Sequence, residues 1–162
     1  MEVWTSLKIK MPTERDYIII KDIINNYSNN MRYGLGEVYD GSDLSISIDE
    51  IFEFEEYVIV FAEFLLDQIC KCAARQKNVE EKKAIEAVSF VIQGYTSYSS
   101  GGESYEFIIE KKDNIITVNE KFFDCEILIN DHTTSYTTET FRDSRYYSQQ
   151  RTMRIRKAFF NG

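Results

Sequence analysis

The chain has 162 residues and a formal net charge of −8 at pH 7. This length suffices for one domain with a buried core and excludes any need for disulfide or metal cross-links. Hydrophobic residues make up 43% and charged residues 28%, which is typical of a globular protein. Because the chain has one Pro, seven Gly and no low-complexity linker, the sequence predicts a single domain over residues 1–162.

The charge is unevenly distributed along the chain. Residues 142–162 hold five Arg and one Lys against a single Asp, a net charge of +5, so the remaining residues carry −13. An acidic body of this kind repels nucleic acid and membrane surfaces and attracts basic proteins. Aromatic residues in the basic end would suit base stacking, but pairing of this end with the protein's own acids is the simpler interpretation.

The first elements alternate between strand and helix. Residues 2–11 alternate apolar and polar side chains, which predicts a first strand. Thr13, followed three residues later by Asp16, predicts a helix start related to the capping box, and this helix should run to about Tyr27. After a loop rich in Asn and Gly, residues 44–48 alternate again and predict a short strand.

The longest predicted helix spans residues 49–76, with Asp49 as its N-cap. A narrow polar stripe runs along an otherwise apolar helix, so the helix should pack on several sides. Charges recur every few residues and interrupt every apolar run before it reaches about 18 residues, so this helix is not expected to span a membrane. The stripe holds Glu56, Glu63, Asp67, Lys71 and Arg75.

The second half of the chain changes to strand periodicity. Asn78 with Glu81 predicts a further helix start, and that helix should end near Ala87. Alternation and turn signals then predict strands at residues 88–98, 104–111, 115–119, 122–129, 133–141 and 151–160, with turns at 101–102, 113–114 and 130–131. The sequence therefore predicts an α+β fold. An antiparallel meander of about five or six strands from the C-terminal half is covered by two or three helices from the N-terminal half.

No pattern in the sequence indicates catalysis, a cofactor or a metal site. The single histidine, His132, is predicted in a turn beside Asp131 and could act as a base, but nothing marks a nucleophile or an orienting group for it. A zinc site would require the three Cys and this His to converge, whereas Cys70 and Cys72 point in different directions on one helix. Buried thiols are the simpler interpretation.

The strongest functional feature is the stretch from Tyr33 to Cys70, which holds ten acids and no Lys or Arg. Clustered acids steer a basic partner toward a protein, and Tyr supplies large contact areas at interfaces. The alternative interpretation is a solvated acidic surface. The predicted partner-binding residues are Tyr33, Glu37, Tyr39, Asp40, Asp43, Glu53, Glu56, Glu63 and Asp67.

These features favour a non-enzymatic acidic binding protein that neutralises a basic protein partner. The most concrete hypothesis is an immunity protein or antitoxin that inhibits a bacterial toxin, with a nuclease as the expected toxin because its substrate cleft is cationic. The alternative is a structural or accessory protein of a phage or mobile element that self-assembles through its β-sheet. A third hypothesis is an enzyme that uses His132. An odd number of Cys and an N-terminus without signal-peptide features predict a cytoplasmic location.

Overall fold

The computed structural model describes residues 3–27, 37–52, 57–98 and 102–142. These residues form a seven-stranded antiparallel sheet and four helices. The strands are β1 (Val3–Lys10), β2 (Glu37–Asp40), β3 (Ser45–Phe52), β4 (Phe90–Tyr98), β5 (Glu103–Lys112), β6 (Ile115–Asp124) and β7 (Ile127–Thr137). The helices are α1 (Glu14–Tyr27), α2 (Tyr57–Arg75), α3 (Val79–Glu86) and α4 (Thr138–Arg142). The strand order across the sheet is β2-β3-β1-β4-β5-β6-β7.

Alternation along the strands gives the sheet one covered face and one open face. In β5, Tyr105, Phe107 and Ile109 are buried while the residues between them are half-buried, and β6 repeats this pattern at Ile116 and Val118. Because successive strand residues point to opposite faces, the apolar side chains collect on one face. Helix α2 packs there against β1 and β4, and the other three helices contact α2. The domain therefore has two layers, with its core between the sheet and the helices.

Helix α2 is the central element of the helical layer. Its side chains Val58, Ile59 and Phe61 are fully buried, and burial of each Val, Ile or Phe contributes roughly 1.5–3 kcal/mol. A Cβ atom added at Gly94 of β4 would lie 2.5 Å from both methyl carbons of Val58. The lack of a side chain at Gly94 therefore allows the first turn of α2 to approach the sheet closely.

Two of the helix starts predicted from the sequence are confirmed by their hydrogen bonds. The Oγ1 atom of Thr13 accepts a hydrogen bond of 3.2 Å from the backbone N–H of Asp16 at the start of α1. At the start of α3, the Oδ1 atom of Asn78 accepts bonds of 2.9 Å and 3.1 Å from the N–H groups of Glu80 and Glu81. Both caps satisfy amides that have no partner inside the first helical turn.

The predicted helix over residues 49–76 is wrong in its first part. The strand that begins at Ser45 continues to Phe52, and the helix starts only at Tyr57. Asp49 is therefore not an N-cap; it lies in β3, opposite Ser6 of β1 and Glu37 of β2. Because β3 is hydrogen-bonded to a strand on each side, pairing with distant residues extends it beyond the short stretch in which alternation is evident.

The predicted arrangement of the last strands also differs from the structure. The turn of the final hairpin lies at Cys125 and Glu126, not at residues 130–131. Both turn residues have positive φ, 49° and 68°, as a two-residue hairpin turn of type I′ requires. Strand β7 then runs without a turn to Thr137 and is followed by α4. The predicted strand at 151–160 lies outside the described residues.

The predicted fold class is confirmed: an antiparallel α+β meander is covered on one side by helices. The described sheet has seven strands, of which three come from the N-terminal half of the chain. In the part of the chain that the structure describes, no helix has both the length and the apolar character needed to cross a membrane.

Candidate functional site

The candidate site is the acidic edge, defined as strand β2, the turn that joins it to β3, and Asp49 of β3. Strand β2 is the last strand of the described sheet on this side and pairs only with β3. The register places Glu37 opposite Asp49 and Tyr39 opposite Ser47. The turn is closed by a hydrogen bond of 2.8 Å from the N–H of Gly41 to the carbonyl oxygen of Ser45. The sheet therefore brings together acids that are up to 12 residues apart in sequence.

Asp40 faces the helical layer and is tied to α1. One carboxylate oxygen lies 2.8 Å from the Nζ atom of Lys21, and the other accepts a hydrogen bond of 3.0 Å from the hydroxyl of Tyr17. These bonds, the one from Lys21 first, hold the pKa of Asp40 below its usual value, and the same carboxylate raises the pKa of Lys21. The side chain of Asp40 is still 49% exposed, so part of its surface stays open to solvent.

Asp43 lies in the turn and faces β1. Its carboxylate accepts a hydrogen bond of 2.5 Å from the hydroxyl of Ser45 and lies 3.4 Å from Nζ of Lys8 and 3.8 Å from Nζ of Lys10. The hydrogen bond from Ser45, supported by Lys8, lowers the pKa of Asp43. The carboxylate is therefore ionised at neutral pH and is matched by two flexible Lys side chains.

Two aromatic side chains, Tyr39 of β2 and Tyr95 of β4, are exposed on the open face of the sheet. Tyr39 is 49% exposed and Tyr95 is 47% exposed. A shallow depression on this face is lined by residues of β1, β3, β4 and β5, including Asp49, Tyr95 and Glu106. Gln93 donates a hydrogen bond of 3.2 Å to Glu106 across this depression. Acidic side chains on the open face therefore continue from Asp49 of the acidic edge to Glu106 near the centre of the sheet.

The other predicted partner-binding residues do not join this group. Asp67 lies on α2, on the helical side of the sheet, and forms an ion pair of 2.9 Å with Lys71. Glu63 is half-buried on the same helix. The remaining predictions, Tyr33, Glu53 and Glu56, lie outside the described residues, as does the side chain of Glu37.

The predictions for His132 and the thiols need correction. His132 lies within β7, opposite Glu120 of β6, and not in a turn. Cys70 and Cys125 are exposed and Cys72 is half-buried, so the prediction of buried thiols is wrong. Over the described ranges, no group of three or more His, Cys, Asp or Glu side chains could hold a metal ion.

Several residues of the site were not predicted from the sequence. Lys8, Tyr17 and Lys21 are partners of the acids, although each belongs to an element far from β2 in sequence. The alternation in β1 places Lys8 and Lys10 on the open face, and this was the sequence feature that could have indicated them as partners of the acids. Asp49 joins the site because β3 is longer than its alternation indicated.

Comparison with known proteins gives no relative: no protein-family model, no curated protein and no solved structure matches this chain.

Proposed function

We propose that this chain is a non-enzymatic binding protein that neutralises a basic protein partner through its acidic edge. The observation that carries the proposal is the grouping of Tyr39, Asp40, Asp43 and Asp49 at one border of the sheet. Tyr39 supplies an exposed aromatic anchor, and the three acids supply charge complementary to Lys and Arg.

The ion pairs within the acidic edge leave room for a partner. The side chains of Asp40 and Asp43 are 49% and 48% exposed, and exposed ion pairs of Lys with a carboxylate are weak. An Arg of the partner can bind a carboxylate through two parallel hydrogen bonds, which Lys cannot form. Incoming Arg side chains can therefore displace Lys8 or Lys21 from these acids.

The backbone of β2 offers a second means of recognition. Among the described residues no strand pairs with the outer side of β2, and the edge of a sheet can accept an added strand. The exposed side chains of Val38 and Tyr39 would pack against the residues of that strand. In this mode of binding, main-chain hydrogen bonds to the added strand would provide affinity, and the acidic side chains would select a basic partner.

The most concrete form of the proposal is an immunity protein or antitoxin that blocks a bacterial toxin, with a nuclease as the expected toxin. A nuclease binds its phosphate substrate in a cationic cleft, and a protein whose residues 1–141 carry a net charge of −13 would be drawn to that cleft. Rapid, electrostatically steered association is what an inhibitor of a toxic enzyme requires.

Affinity capture tests this proposal. The tagged chain is incubated with a lysate of the cells that naturally produce it, at low and at moderate salt. The proteins retained with the tagged chain are identified by mass spectrometry. The test variant carries Asp40→Asn, Asp43→Asn and Asp49→Asn. The control variant carries Glu80→Gln, Glu81→Gln and Glu126→Gln, which make the same charge change at exposed positions away from the acidic edge.

We expect one stoichiometric basic protein to be retained by the wild type and by the control variant, and to be lost at moderate salt and from the test variant. Equal retention by the two variants would contradict the assignment of binding to the acidic edge. Recovery of the bait alone would contradict the whole proposal and favour self-assembly.

A second candidate function is self-assembly through β7. This strand is the last one of the described sheet on its side, and its first residues Ile127, Leu128 and Ile129 are 65%, 48% and 44% exposed. Exposed apolar residues on a strand of 11 residues are a template for pairing with a second copy. Sedimentation over a range of concentrations tests this function. A concentration-dependent oligomer that Leu128→Lys abolishes would support it, and a monomer at every concentration would exclude it.

A further inference from the structure

A cavity of about 650 Å³ lies on the helical side of the sheet, away from the acidic edge. It is bounded by the second half of α2, by α3, by α4 and by the turn between β5 and β6. Its apolar wall consists of Leu66, Ile69 and Ala73 of α2, each at most 4% exposed. A volume of this size falls in the range of small-molecule sites, roughly 300–1,000 Å³.

The polar side of the cavity is organised by Lys111 of β5, which is only 2% exposed. Its Nζ atom donates hydrogen bonds of 2.8 Å to the carbonyl oxygen of Glu86 and 2.6 Å to that of Val88. An ammonium group has three hydrogens, so these two bonds leave one donor. No carboxylate of the described residues lies within ion-pair distance of this Nζ atom.

Burial lowers the pKa of Lys111 to about 8, although the charges of Asp113 and Asp16 oppose this shift. The ammonium form is therefore still abundant at neutral pH, and it is costly because a buried charge needs a partner. An anion that enters the cavity would remove this cost.

The other charges that line the cavity lie at its exposed rim. Lys83 and Arg142 are exposed cations, and Glu86, Asp113 and Glu139 are exposed acids. Water solvates these side chains and screens their charges, and two cations against three acids leave the rim with a net charge of −1. Among the described residues that line the cavity, Lys111 is the buried charge, and Asp113 and Asp16 act on it from beyond ion-pair distance.

We propose that this cavity binds a small amphipathic monoanion, a carboxylate or sulfonate carried by an apolar body. The anionic group contacts Lys111, with Lys83 and Arg142 at the rim. The apolar body lies on Leu66, Ile69 and Ala73. The residues that line the cavity belong to α2, α3, α4 and the β5–β6 region, and none of them is part of the acidic edge, so this proposal is independent of partner binding.

The first experiment uses the two exposed thiols of the chain. Cys70 lines the cavity, whereas Cys125 lies in the turn between β6 and β7. The rate of alkylation of each thiol is followed by mass spectrometry with octanoate, with octan-1-ol or with no addition. We expect octanoate to slow alkylation of Cys70 at least threefold more than octanol does, while Cys125 reacts at an unchanged rate. Equal effects of the two compounds, or equal slowing of both thiols, would overturn the proposal.

The second experiment measures affinity for octanoate directly by calorimetry. Lys111→Met removes the buried charge, and Lys112→Met, at the adjacent exposed position, is the matched control. Loss of a charge-assisted hydrogen bond predicts binding weakened roughly tenfold or more in Lys111→Met, with no change in Lys112→Met. If Lys111→Met fails to fold, Cys70→Trp places an indole at the exposed mouth of the cavity and should abolish binding. Undiminished binding in Lys111→Met or in Cys70→Trp would refute the proposal.

Discussion

The Nζ atom of Lys21 lies 2.8 Å from a carboxylate oxygen of Asp40, and this ion pair joins helix α1 to edge strand β2. Strand β2 has only four residues and pairs with a single strand in the described sheet. A strand this short gains few ladder hydrogen bonds, so side-chain contacts contribute much of its anchoring. Tyr17 provides a second contact from the same helix, through its hydroxyl.

We predict that Asp40→Asn loosens β2 at neutral pH but has little effect in acid. The pKa of Asp40 is lowered in the folded protein. The pair therefore stabilises the fold above the ordinary pKa of 3.8, and this contribution is lost as the pH falls through the lower folded value. Hydrogen exchange of the β2 amides and urea unfolding, at neutral and acidic pH, would measure the effect. Asp22→Asn is the control, because Asp22 lies next to Lys21 on helix α1. An equal effect of Asp40→Asn and Asp22→Asn at neutral pH would count against a stabilising ion pair between Lys21 and Asp40.

We predict that Gly94→Ala destabilises the protein by about 1–3 kcal/mol, because the added methyl group overpacks the contact with Val58. Val58→Ala introduced together with Gly94→Ala should recover part of this loss, since it removes the two methyl carbons that the new Cβ would meet. Urea unfolding of the two single variants and the double variant provides the coupling energy. Additive effects would show that α2 does not approach the sheet at this position. Gln93→Ala, at the adjacent exposed position, is the control.

We predict that Glu126→Gly stabilises the β6–β7 hairpin. The φ angle of Glu126 is 68°, and the left-handed region costs a residue with a side chain roughly 1–2 kcal/mol, part of which is offset by the greater freedom of glycine in the unfolded chain. Thermal or urea unfolding should therefore show a gain of up to about 1 kcal/mol. Glu110→Gly, inside strand β5, should destabilise the protein. A loss of stability in Glu126→Gly would contradict the turn geometry.

We predict that deprotonation of Lys111 increases the free energy of unfolding as the pH rises above about 8. The folded pKa is about 8, below the ordinary value of 10.5, so between these values the unfolded chain binds more protons than the folded one and stability increases with pH. The difference in unfolding free energy between wild type and Lys111→Met should therefore shift in favour of the wild type from pH 7 to pH 10. A difference that is constant over this range would exclude a buried, partly desolvated ammonium.

The elements that the sequence predicted well are those whose determinants are local. Thr13 caps the backbone of Asp16, and Asn78 caps that of Glu81, in each case across three residues. A local sequence pattern therefore contains all the information needed for each cap. The alternation of β5 likewise follows from adjacent residues. For these elements, the pattern and the packing agree.

The errors occur where distant residues decide the local structure. Asp49 was expected at a helix start, but its segment is fixed as a strand by pairing with β1, more than 40 residues earlier. The turn at Cys125 and Glu126 lacks the Asn and Gly residues that commonly form such turns, and Asn130 and Asp131, which do favour turns, lie in a strand. Tertiary pairing overrode local preference in both segments.

The candidate site was predicted in part for the same reason. Tyr39, Asp40 and Asp43 are close in sequence and lie together at the β2 border of the sheet, whereas Asp67 of the same acidic stretch lies on helix α2 and pairs with Lys71. The cations that pair with these acids belong to β1 and α1. No spacing pattern indicates such contacts, because they depend on how the strands are ordered.

The decisive measurement for partner binding is the association rate constant between this chain and the basic protein that it captures, at several ionic strengths. It compares the wild type with the variant carrying Asp40→Asn, Asp43→Asn and Asp49→Asn. The proposal predicts association slowed roughly tenfold at low salt in the variant, with a weaker dependence on salt. An association rate and a salt dependence equal to those of the wild type would contradict binding through the acidic edge.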